Sequence, residues 1–90
     1  MPELARFYGI VVYINYEDIG QHKKPHIHAV FSGREASVGV DGEPLAGELP
    51  KKQMRLLQAW IALHEDELYD AWIKAVKKEP VERIEPLCGL

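Results

Sequence analysis

The sequence predicts an α+β fold: an antiparallel sheet of about four strands, with a long or kinked C-terminal helix in two helical segments packed on one face. Three observations predict it. Residues 1–50 are rich in β-branched and aromatic side chains broken by Gly, Pro, Asp and Ser turn signals. No Gly or Pro stands between Pro50 and Pro80. Within that uninterrupted stretch the apolar residues recur at helical spacings of three and four. At 90 residues the chain holds one domain, residues 1–90, which excludes multi-domain enzyme folds.

The elements follow in order. Residues 7–16 are nearly all β-branched or aromatic, so alternation fails because both faces are apolar, which predicts a central strand. Residues 17–25, polar with Gly20 and Pro25, form a loop longer than an ordinary hairpin connection. A second strand spans residues 26–31. Ser32-Gly33 is a two-residue turn, and residues 35–40 are the hairpin partner with Ala36, Val38 and Val40 on one face. After the Asp41-Gly42 turn, residues 43–49 make a weak edge strand interrupted by Pro44 and Gly47. Pro50 opens the helix. Met54, Leu57, Ile61, His64, Leu68, Ala71 and Ala75 draw its stripe, widened by Trp60, Trp72 and Val76. A straight helix over residues 51–78 is about 42 Å long, in a domain about 30 Å across. The Glu65-Asp66-Glu67 triplet suits a new helical N-terminus, which places a bend at residues 64–66; a straight, partner-bound helix is the alternative. Residues 81–84 form a short terminal strand.

Composition narrows function mainly by exclusion. Lys and Arg number 11 against 14 Asp and Glu, a net charge of −3, so the chain as a whole is not built to seek nucleic acid. The lone cysteine, Cys88, allows no intramolecular disulfide and no cysteine-based metal site, in keeping with a reducing cytoplasm. The N-terminus lacks the charged-then-apolar pattern of a secretion signal, and no apolar run approaches the roughly 18 residues of a membrane span. Gly-rich phosphate loops and nucleophile-elbow motifs do not occur, which removes kinase, NTPase, dinucleotide-binding and hydrolase-fold readings.

The most informative cluster is His22-x-x-x-His26-x-His28, three of the four histidines within seven positions. Residues i and i+2 of a strand share a face, so His26 and His28 project side by side while His22 folds back from the loop. Such a triplet has the donors for Zn²⁺ or another imidazole-favouring divalent metal. Two adjacent imidazoles also suit general acid–base work, with Arg34 or a lysine holding a phosphate. The third reading is structural: paired imidazoles that hydrogen-bond the loop backbone after Pro25. A second cluster, Lys51, Lys52 and Arg55, puts cations in the first turn of the helix, against the macrodipole. That suits an anion, whether an RNA backbone or an acidic partner, or else a solvated face. Trp60, Trp72 and His64 lie on or beside the core stripe, and Tyr8, Tyr13 and Tyr16 are core or rim.

With these residues in view, the chain resembles an uncharacterised group of small bacterial proteins, a domain of unknown function. The resemblance rests on Arg6-Phe7-Tyr8-Gly9-Ile10, on His22-Lys23-Lys24-Pro25-His26-Ile27-His28, and on Gly47-Glu48-Leu49-Pro50-Lys51-Lys52. It extends through Trp60, His64 and Trp72 to Ile84-Glu85-Pro86-Leu87. The loop before the histidines is longer than that pattern, and Lys23-Lys24 replace a more neutral, proline-containing stretch. The resemblance implies genomic context: such proteins are often encoded beside a second small domain, in pairs that look like toxin–antitoxin modules.

Together these readings give, as the expected function, a cytoplasmic protein-interaction module of a two-gene, toxin–antitoxin-like pair that binds a small protein encoded nearby. The alternative is a small enzyme, a ribonuclease or metal-dependent hydrolase acting through His22, His26 and His28. An enzyme needs the imidazoles to converge in an open cleft, whereas a binding module buries them or turns them outward singly. An overhanging helix would also leave Leu68, Ala71, Trp72, Ala75 and Val76 uncovered, which predicts a homodimer or partner-bound state with Trp72 at the interface.

Overall fold

The structure is a computed structural model that describes residues 3–15 and 24–87. Its sheet has five antiparallel strands in sequential order: β1 (Glu3–Phe7), β2 (Ile10–Tyr13), β3 (His26–Phe31), β4 (Arg34–Gly39) and β5 (Pro44–Gly47). Two helices follow, α1 (Lys51–Leu63) and α2 (Glu65–Val76).

The expected single strand over residues 7–16 is instead a hairpin. Tyr8 and Gly9 both take positive φ, 49° and 78°, the two-residue turn whose twist matches paired strands. An aromatic side chain in the first turn position hid the signal, and β1 thereby becomes an edge that the sequence reading lacked. Gly9 is required twice over, by its φ and because a Cβ there would lie 3.0 Å from the Phe31 ring. The β3–β4 hairpin repeats the geometry at Ser32 and Gly33, with φ of 49° and 80°, where the sequence placed it. In β1 the register slips between Glu3 and Ala5, so consecutive Leu4 and Ala5 are both fully buried.

Alternation sorts the two faces. Ala5, Val12, Ala29 and Ala36 stand in register across four strands and are all buried. Small side chains there allow close approach, and Phe7 on the same face meets Trp60 of α1, ring centroids 5.3 Å apart. Trp60 is fully buried, and its indole N–H donates to the Glu85 carbonyl at 2.8 Å, which ties the C-terminal segment down.

The helix bends where expected. His64 leaves helical geometry at φ −123° and ψ 26°, its N–H donates to the Trp60 and Ile61 carbonyls, and α2 restarts with Glu65, Asp66 and Glu67 in its first turn. Those carboxylates favour the positive end of the new helix dipole. The bend returns α2 to the body of the molecule, which spans 34 × 25 × 21 Å, so Leu68, Ala71, Trp72 and Ala75 are buried. Val76 differs from expectation, being 42% exposed. Residues 81–84 also differ: they form no strand, and the Ile84 N–H instead donates to the Leu4 carbonyl at 2.8 Å. No helix among the described residues is long and apolar enough to cross a membrane.

Candidate functional site

β3 brings His26 and His28 to one face, ring centroids 5.2 Å apart and edge-on, as the spacing predicted. Their surroundings differ. His26 opens the strand, is 1% exposed, and packs against Trp72 of α2 with centroids 5.1 Å apart. Its Nδ1–H donates to the Lys24 carbonyl at 2.9 Å, which fixes the tautomer and ties the ring to the segment before Pro25. His28 is half-buried in a row running across three strands, with Tyr13 opposite it on β2 and Ser37 opposite it on β4. The Tyr13 ring stacks on the imidazole at 5.2 Å, and the Ser37 hydroxyl lies 3.2 Å from Nδ1. Tyr13 in turn donates its hydroxyl proton to Glu35.

The turn between β4 and β5 holds this corner in place. Lys24, just upstream of His26, pairs with Asp41 at 2.8 Å and with Glu43. The ammonium lowers the Asp41 carboxyl below its ordinary value of 3.8, helped by the Glu43 backbone N–H. Asp41 first, then Glu43, raises the Lys24 ammonium above 10.5. The backbone adds a bond from the Val40 N–H to the Pro25 carbonyl. Gly39, paired with His26, lies beneath: a Cβ there would fall 2.6 Å from Asp41 Oδ1 and 3.1 Å from Lys24 Cε. Sequence reasoning missed this clamp. Lys24 stood inside the histidine motif with no role assigned to it, and for Asp41 and Glu43 the turn signal at Asp41-Gly42 was the trace.

The remaining predicted site residues are dispersed. His22 lies outside the described residues, as does Cys88. Among the described residues no group of three His, Cys, Asp or Glu could hold a metal ion. Arg34 is exposed and pairs with Phe31, at the far end of the ladder from His26. Three residues along the strand separate it from the His28 level, about 10 Å. Lys51, Lys52 and Arg55 are exposed on the first turns of α1, which has no acidic residue in its first turn. Lys51 and Arg55 border a shallow groove of about 530 Å³ with Glu48, Leu49 and Met54. Trp72, expected at an interface, is 9% exposed and belongs to the core. His64 is half-buried: its ring lies 5.5 Å from that of Trp60, and Nδ1–H donates to Glu67 Oε1 at 2.7 Å, a hydrogen bond across the start of α2.

Chemically, the histidine corner is a set of mutually oriented rings and backbone bonds. An imidazole whose Nδ1–H is donated to a carbonyl and whose ring is sealed by indole is held as structure. No curated protein and no solved structure matches the chain. Residues 9–73, more than half of the sequence and including β2 to β5, the histidine corner and most of α2, match the family described as Domain of unknown function (DUF4160), and the chain belongs to that family.

Proposed function

We infer that the protein is a cytoplasmic protein-interaction module of a two-gene, toxin–antitoxin-like pair, whose partner is a small protein encoded nearby. The observation that carries this reading is the burial of His26. Acid–base or metal chemistry at the cluster needs imidazole nitrogens that a substrate or ion can reach. Here the His26 ring is 1% exposed, bonded to the Lys24 carbonyl and covered by Trp72. A fold that orients its most reactive side chains inward offers surfaces to a partner, and its sheet-and-helix exterior supplies them.

The test is co-expression with the product of the adjacent gene, purified through a tag on that product. The reading predicts a stoichiometric complex that survives His28→Ala, together with growth effects that depend on the ratio of the two proteins. Absence of any complex, combined with RNA cleavage or stoichiometric bound Zn²⁺ in the untagged protein, would overturn it in favour of a histidine enzyme.

A further inference from the structure

We propose that the outer face of α2 is a self-association surface, on which a second copy of this chain docks two-fold and antiparallel through Tyr69, Ile73 and Val76. These three residues are 41%, 48% and 42% exposed. Their spacing of four and then three places them in one stripe along the helix, since successive residues turn by about 100°. The inward face of the same helix is separately complete, with Leu68, Ala71, Trp72 and Ala75 buried. α2 is therefore apolar on two sides, and the fold covers only one of them. Monomeric proteins leave single apolar residues wet without consequence, whereas here three stand contiguous in one row, the arrangement on which contact surfaces are built.

The charges beside the stripe select the occupant. Asp66, Asp70 and Lys77 lie along one flank, all exposed, and none makes an ion pair with another described residue. In an antiparallel pair related by a two-fold axis, each flank meets its own copy in reverse. With Ile73 opposite Ile73, Tyr69 falls within about 1.5 Å, one residue's rise, of the level of Val76, and Lys77 of one copy falls between the levels of Asp66 and Asp70 of the other. The arrangement is self-complementary in shape and in sign. It also sets the two helix dipoles head to tail. The patch is small, which puts the dimer at the weak, transient end of interfaces. This surface is distinct from the histidine corner.

The experiment is sedimentation equilibrium on the untagged chain across a wide concentration range. Wild type should pass from 10.3 kDa toward twice that mass. Ile73→Asp should stay monomeric throughout with an unchanged circular dichroism spectrum. Lys77→Glu should weaken the dimer at least about fivefold, because two exposed pairs are lost at once. The triple variant Asp66→Lys, Asp70→Lys, Lys77→Glu, which reverses the whole flank, should recover most of that loss. A wild type that remains monomeric at the highest concentration overturns the proposal. So does a dimer whose constant is indifferent to Ile73→Asp, or a flank reversal that binds no better than Lys77→Glu alone. Each outcome is read without the heterologous partner, so failure here leaves the interaction-module reading intact.

Discussion

The histidine corner and the outer face of α2 invert what their residue types suggest. The corner concentrates the side chains most associated with chemistry, yet each one described there is engaged: His26 with the Lys24 carbonyl and Trp72, His28 with Tyr13 and Ser37, Lys24 with Asp41 and Glu43. The α2 stripe consists of ordinary apolar residues, and the fold leaves them uncovered. Reactivity by residue type and availability by packing are different properties. The second decides what a surface can do. A buried imidazole with its donor committed costs free energy to expose, while an exposed Ile73 gains free energy when something covers it.

Adjacent residues sharpen the contrast most. Trp72 and Ile73 are neighbours in sequence, about 100° apart around α2, and are 9% and 48% exposed. Trp72→Ala should lower the unfolding free energy by about 3–5 kcal/mol, by loss of buried aromatic area and the cavity left against His26. Urea denaturation measures it, and a loss under about 1 kcal/mol would return Trp72 to the surface role the sequence suggested. Gly39→Ala comes next. The added methyl must displace Asp41 Oδ1, the acceptor of the Glu43 N–H, and crowds Lys24 Cε, and the expected loss is about 1–3 kcal/mol in the same assay.

The clamp itself gives a pH signature. Asp41 is lowered in the folded state, so its contribution is present above the ordinary carboxylate value and disappears as pH falls through the folded value. Lys24 is raised, so its contribution is complete below 10.5 and disappears as pH rises through its raised folded value. The urea midpoints of wild type and Lys24→Met should therefore differ most from about pH 5 to pH 9 and converge in acid. These groups are at the surface, and the effect should shrink in high salt. The smallest change is Ile73→Ala, within about 0.5 kcal/mol, since the monomer gives that side chain little to pack on. A larger loss would mean that the outer face of α2 is already covered.

Much of this was legible in the sequence. The β3–β4 hairpin followed from Ser32-Gly33, the edge strand from Pro44 and Gly47, and the bend at His64 from three consecutive acidic residues that suit a new helix start. Each is a local preference that agrees with the tertiary result. The turn at Tyr8-Gly9 was not legible, because an unbroken aromatic and β-branched run reads as one strand until Gly9 is weighed as a breaker. Residues 81–84 failed for a related reason: Trp60 and Leu4 hold that segment through its backbone, and no side-chain pattern announces such bonds. At the corner, spacing gave the shared face of His26 and His28 correctly. Burial came from a helix more than forty positions away, and short-range periodicity carries no information about which ring will be covered by Trp72.

Whether the histidines serve the fold is the central question. Equilibrium urea unfolding of the double variant His26→Ala/His28→Ala, compared with wild type at one pH, tests this most directly. Loss of the Nδ1–carbonyl bond, of the Trp72 packing and of the Tyr13–His28–Ser37 row should lower stability by about 2–4 kcal/mol. A double variant as stable as wild type would contradict the account, and would return the two imidazoles to a functional site that the fold can spare.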